Sequence, residues 1–310
     1  MKLTLVTVAI LLCGMVYGQY SKSFGFVEDN DAFISLTKDQ YYTNGLIFSY
    51  QFLSNKTSDK LIKKIYNFQI GQFMFTPSKP NVPDIVEHDR PFAGYLFANF
   101  GVTNYYKKQQ FLRLNYQLGI LGPGSQADDV QKWLHRTFSF KNVAGWEYQI
   151  RDQIGINIDA FYLKNLQYYG HGTIDLNIFS EVKFGTIFNQ LGIGFISRIG
   201  LKNLASVSNT VLFNSNISHQ QKRIKEFYFY VKPQFTYVIS NATLEGSLFN
   251  NNSPVTFNAE PLTGSLQFGL KCTTKHFNLG YSISYLTQSV DNNRDTAHAY
   301  GSVDVIYFFN

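Results

Sequence analysis

Apolar and polar residues alternate along most of this chain. Leu112, Leu114, Tyr116, Leu118 and Ile120 are interleaved with Arg113, Asn115, Gln117 and Gly119. Ile154, Ile156, Ile158, Ala160 and Tyr162 alternate with Gln153, Gly155, Asn157 and Asp159, and Leu279, Tyr281, Ile283 and Tyr285 with Gly280, Ser282 and Ser284. The last run carries Ala299, Gly301, Val303, Val305, Tyr307 and Phe309 on one face, while His298, Tyr300, Ser302 and Asp304 begin the other. A period of two is the signature of a β-strand, whose successive side chains point to opposite faces. These runs reach 9 to 13 residues, longer than the ~5–6 of soluble strands and matched to the ~9–11 of a tilted membrane strand. Twelve segments qualify: 21–29, 41–53, 64–76, 92–104, 110–121, 150–164, 172–185, 189–200, 225–239, 262–275, 276–288 and 299–309. The pattern predicts an all-β protein, a twelve-stranded antiparallel transmembrane β-barrel with long outer loops and a short loop helix. Its polar face, of Asn, Gln, Ser, Gly and isolated charges, suits a hydrated lumen. The rival soluble β-sandwich would have to bury the apolar faces against a second sheet.

Composition sharpens this picture. Aromatic residues make up 17%, with Phe 29 and Tyr 21, and charged residues only 15%, against about 25% in a typical soluble chain. A mean hydropathy of −0.14 excludes a helical membrane bundle, and Pro 8 with Cys 2 excludes Pro-rich, collagen-like and disulfide scaffolds. Residues 1–18 read as a secretory signal. Lys2 supplies the positive end, Leu3 to Leu12 the apolar stretch, and Val16-Tyr17-Gly18 a small-residue cleavage site before Gln19. Leu12, not a small residue, precedes Cys13 and argues against a lipoprotein. Cleavage would leave Cys272 alone and residues 19–310 as one barrel domain. The formal charge of +6 is scattered. No basic stretch with interleaved aromatics supports nucleic-acid binding.

With both termini on the periplasmic side, odd-numbered connections face outward, the first three being 30–40, 77–91 and 122–149. Loops of this length usually carry function. Glu28-Asp29-Asn30-Asp31 opens the first. Such an oxygen-rich cluster suits a hard cation such as Ca²⁺, or a polar turn that satisfies its own backbone. Thr43 starts the second strand. Unbroken alternation from lipid-facing Leu46, Phe48 and Tyr50 points it into the lumen at the outer rim, where a hydroxyl suits an oxyanion. Arg90, in Asp89-Arg90-Pro91, is a candidate phosphate clamp or the partner of Asp89 in a pair bracing the proline turn, and Lys79 in the same loop is a candidate phosphate contact or a solvated lysine. Val130, Trp133, Leu134 and Thr137 have helical spacing, with Gln131 and His135 one turn apart on one face. His135 is the natural general base near neutral pH, or a surface histidine.

Taken in order, Asn30-Asp31, Tyr42-Thr43-Asn44-Gly45, Asp89-Arg90-Pro91-Phe92-Ala93-Gly94, Gly122-Pro123 with Gln131 and His135-Arg136, Trp146 with Gln149, and Thr243-Leu244-Glu245-Gly246 resemble the outer-membrane lipid A 3′-O-deacylase family. The resemblance runs from about residue 23 to the C-terminus. It implies a twelve-stranded outer-membrane barrel that hydrolyses the 3′-linked acyloxyacyl chain of lipid A with Ca²⁺, and the chain is expected to act as a monomer. His135 would activate water, Gln131 would support it, and Thr43 would serve the oxyanion. Asn30 and Asp31 would place the metal, and Arg90 and Lys79 would meet the lipopolysaccharide. Two points depart from the pattern. Alternation from Phe24 and Phe26 sends Asp29 and Asp31 inward but Asn30 outward, and Lys79 stands where the family's loop lysine has no secure match. No Gly-x-Ser-x-Gly run marks a serine nucleophile. The alternative on the same scaffold is a non-catalytic barrel, a pore or structural protein, which predicts an open lumen.

Overall fold

The computed structural model describes residues 20–34, 41–55, 58–79, 81–138, 143–218, 225–291 and 297–310. The expected signal segment lies outside the described residues. Twelve antiparallel strands form a closed barrel in which β1 pairs with both β2 and β12. They are β1 (Lys22–Asn30), β2 (Tyr41–Leu53), β3 (Leu61–Thr76), β4 (Ala93–Tyr106), β5 (Gln110–Leu121) and β6 (Gln153–Tyr169), followed by β7 (Ile174–Gly185), β8 (Phe188–Gly200), β9 (Phe227–Asn241), β10 (Leu262–Thr273), β11 (Phe277–Thr287) and β12 (Ala297–Phe309). Closure leaves no strand edge unpaired, as hydrocarbon requires.

The alternation sorts the two faces cleanly. Phe24, Phe48, Ile70, Leu118 and Ile154 point outward and are exposed, while Gln51, Asn99, Asn157 and Asp304 point inward and are buried. Several inward polar groups pair with one another: Asn99 donates to Gln69 at 2.8 Å, Tyr95 to Gln117 at 2.8 Å, and Lys271 pairs with Asp304.

Among the described residues, packed side chains fill the lumen towards both ends. At the end where β1 begins and β12 finishes, residues 201–218 of the β8–β9 connection turn inward. Its Val207, Val211, Phe213 and Ile217 join a buried cluster with Ile65, Tyr105, Phe111 and Phe179 of the wall. A folded-in loop must satisfy its backbone, and the wall supplies the partners. Lys63 donates to the Ser215 and Ile217 carbonyls at 2.9 Å, and Tyr105 and Arg113 donate to that of Phe213 at 2.7 and 3.0 Å. The root of the loop is tied by Arg198, fully buried, which pairs with Asp175 at 2.6 Å, reaches Glu226 at 3.6 Å and donates to the Ala205 carbonyl at 2.8 Å. Burial pushes the Glu226 carboxyl up, against the pull of Arg198.

At the other end, Ala93, Tyr95, Phe97, Leu121, Ile150 and Ile187 pack with Ala242 of the short helix α2 (Ala242–Glu245). A longer helix, α1 (Ala127–Phe138), belongs to the β5–β6 connection. It covers the predicted helical segment and begins three residues earlier than the apolar spacing places it.

Candidate functional site on the lipid-facing rim

The polar chemistry of the outer rim gathers on the outside of the barrel. Directly opposed residues on neighbouring strands share a face, and one row at the rim runs Gly301, Asn30, Asn44, Met74, Gly94. Its parity is that of Phe24, Phe48 and Ile70, so Asn30 and Asn44 look toward the bilayer. Opposed Cα atoms stand about 4.5–5.5 Å apart.

A bulge sets this arrangement. Tyr42 pairs with Phe75 and Asn44 with Met74, which leaves Thr43 as the extra residue of β2. A bulge breaks the alternation. Tyr42 therefore turns inward, donating to Asp29 at 2.7 Å, while Asn44 faces out. The expectation that Thr43 lines the lumen rim assumed unbroken alternation, which the bulge at Thr43 interrupts. Thr43 is buried at the bulge and donates to the Met74 carbonyl at 3.3 Å. Inside, Asp29 also accepts from Ser302, so the first-loop carboxylates divide between the two sides of the wall. β1 ends at Asn30, whose Oδ1 accepts the Ala32 amide at 2.8 Å and starts a helical turn that buries Asp31.

Helix α1 lies on the outer wall beside this row. A Cβ on Gly94 would fall well inside 3.0 Å of Ser125 Oγ and Ala127 Cβ. The missing side chain is thus what lets the helix start seat directly on β4. Gln72, an outward polar residue beneath it, donates to the Ser125 carbonyl at 2.6 Å. Met74, Phe92, Ala127 and Trp146 form the cluster that holds the helix, with Val130 packed against it. The helix face that meets the wall carries Ala127, Val130 and Gln131. Trp133 and Thr137, expected in the apolar stripe, are exposed instead, Trp133 by 56%. Gln131 is buried and accepts from the Trp146 indole at 2.8 Å, which fixes its amide NH₂ as the end left to donate. His135, one turn further on the same side of the helix, is half-buried.

The structure therefore brings Asn30, Asp31, Thr43 and Asn44 to one stretch of rim and clamps the helix bearing Gln131 and His135 over the next two strands of that row. Lys79 is exposed on the neighbouring outer loop. Arg90 is not a surface clamp, and that expectation is corrected. It is buried above the lumen, its guanidinium 4.4 Å from the centre of the inward Phe75 ring, donating to Thr243 at 3.1 Å. Burial lowers its pKa to about 9, with Tyr41 and Asp89 opposing the shift, so it stays charged at neutral pH. Asp89 accepts from Tyr41 at 3.2 Å and from the Ser78 amide at 2.9 Å. Arg90 and the Thr243 motif thus lock the outer loops together.

Asn44 was not singled out from the sequence. Both its side-chain Oδ1 and Nδ2 are buried with no hydrogen-bond partner among the described residues, an arrangement that costs stability unless a ligand completes it. Among the described residues no group of three or more His, Cys, Asp or Glu side chains forms a ready-made metal site. An oxygen set of Asp31 with amide and backbone carbonyls still fits Ca²⁺, which takes such ligands, and the orphaned Asn44 Oδ1 lies in the row that would supply them.

A family profile described as outer membrane protein LpxR matches residues 3–309. Among solved structures, LpxR from Salmonella typhimurium superposes with a TM-score of 0.74 at 20% identity, over 93% of this chain and all of that one. The β domain of the Bordetella autotransporter Brka aligns over 93% of this chain and 98% of its own at a TM-score of 0.49 and 8% identity. No curated protein sequence matches the chain. A profile that runs almost from end to end, over the barrel that the motifs led us to expect, shows that this chain belongs to the LpxR family of outer membrane proteins.

Proposed function

We propose that the protein is an ester hydrolase of the outer membrane that removes the 3′-O-linked acyloxyacyl chain of lipid A, with His135 as general base and with Ca²⁺. One observation carries the reading. In a barrel whose lumen is filled at both ends, a helix bearing Gln131 and His135 is clamped on the lipid-facing wall beside the Asn30–Asn44 row. A lipid reaches that position without leaving its leaflet.

In this scheme His135 takes a proton from water as the oxygen attacks the ester carbonyl carbon. The amide of Gln131, oriented by Trp146, steadies the imidazole. Thr43 exchanges its long bond to the Met74 carbonyl for one to the developing oxyanion. When the tetrahedral centre collapses, the ester C–O bond breaks and His135 returns the proton to the departing sugar oxygen. Asn30, Asp31 and Asn44 would hold Ca²⁺, which supplies positive charge to polarise the carbonyl and offset the phosphates. Lys79 is placed to meet a phosphate from the outer loop.

The test is release of the acyloxyacyl acid from lipid A by the purified protein in detergent micelles. His135→Ala should lower the rate by about 10²–10⁴, and chelation of Ca²⁺ should silence the wild type. Unchanged release by the variant removes His135 from the mechanism, and full activity in chelator removes the metal.

A further inference from the structure

Below the rim, the lipid-facing wall is indented. A groove of about 740 Å³ crosses β1 to β6, within the ~300–1,000 Å³ range of ligand sites. Its flanks are large outward side chains, among them Phe48, Phe68, Ile70, Phe100 and Leu118. Ala98 sits between Ile70 and Leu118 in the register and keeps the floor low. We infer that this groove is the subsite for the distal part of the acyl chain being removed, and that it selects for chain length; the inference rests on the hydrolase reading above.

Three observations point to this occupant. The groove begins four residues down β2 from Asn44, at Phe48, about 13 Å along the strand and roughly 10 Å deeper in the membrane. Acyl chains are the material found at that depth. Only Leu46, Gln72 and Leu96 separate the groove from the rim row in register, so it continues the proposed ester site. Apolar character alone would not single it out, because the walls of β8 to β10 are equally apolar, as Ile193, Phe235 and Leu266 show. In lipid, apolar burial gives no net drive. Selectivity has to come from close packing in a shaped surface, and from tethering of the chain by the ester held at the rim. A chain too short to pass Leu96 gains neither.

The test is photolabelling in nanodiscs with a lipid A carrying a diazirine near the end of its 3′ chain. Label on the Phe68–Ile70 and Ala98–Phe100 stretches should exceed that on Ile193 and Phe235 by about tenfold, while a diazirine phospholipid labels both walls alike. Even labelling by the lipid A probe overturns the subsite. In parallel, Ala98→Phe should lower kcat/KM by about tenfold or more for long 3′ chains and leave chains too short to reach Phe48 unaffected. An equal effect on both, or none, also overturns it. If the wild type releases no acid at all, the hydrolase reading fails, and the labelling still decides whether the groove holds lipid A.

Discussion

Gly94→Ala is a one-methyl change whose consequences follow from contact distances. The added Cβ meets Ser125 Oγ and Ala127 Cβ well inside 3.0 Å; Ala127 Cβ is fixed to the helix backbone, and Ser125 Oγ is held by its bond to the Gly122 carbonyl at 2.6 Å. Carbon contacts settle at about 3.5–4.0 Å, so the start of α1 must retreat by roughly 1 Å or more. Overpacking of this kind costs about 1–3 kcal/mol, which the barrel can absorb because β3–β4 pairing is untouched. The helix carries the displacement to His135, two turns and about 12 Å further on. A misplacement near 1 Å can cost about 10²-fold in rate. We expect Gly94→Ala to keep the heat-modifiable mobility of a folded barrel while kcat/KM for acid release falls by 10-fold to 10²-fold. Ser125→Gly with Ala127→Gly, introduced together, should restore much of the loss. Wild-type activity in Gly94→Ala would show that seating of α1 on the wall does not set the catalytic geometry. Failure of the compensating pair in a folded protein would say the same.

Asn44→Leu removes a buried amide without partners among the described residues, so a purely structural residue would leave stability unchanged or raise it by about 1 kcal/mol. We expect that stability outcome together with a large loss of activity, and retained activity would remove Asn44 from the site. Arg90→Ala should lower the unfolding free energy by about 2 kcal/mol, from the lost bond to Thr243 and the lost contact with Phe75, with KM unchanged. A raised KM would reinstate it as a substrate contact. In planar bilayers the wild type should conduct no ions. Porin-like conductance by the wild type would contradict the filled lumen.

The strands were legible in the sequence because water or polar neighbours on one side and lipid on the other enforce a period of two. The predicted ranges match all twelve strands to within a few residues at each end. Three features were not legible. The bulge at Thr43 is a single extra residue with no mark of its own, yet it decides that Asn44 faces the bilayer. The inward fold of 201–218 has no periodicity, since Val207, Val211 and Phe213 are buried by a lumen that only the closed barrel creates. The helix was visible, but its seat was not: Trp133 suggested an inner face, whereas the Gly94 notch selects the face of Ala127 and Gln131. Arg90 misled for a related reason, because an arginine beside proline in an outer loop reads the same whether it meets solvent or caps the lumen.

The most direct test of the central claim is mass spectrometry of lipid A from cells producing the wild type or His135→Ala. Wild-type cells should yield lipid A lighter by one acyloxyacyl substituent, and the variant, present as a folded barrel in equal amount, should leave lipid A intact. Identical spectra from wild-type cells and cells lacking the protein, or the same lightened species from His135→Ala cells, would contradict the account.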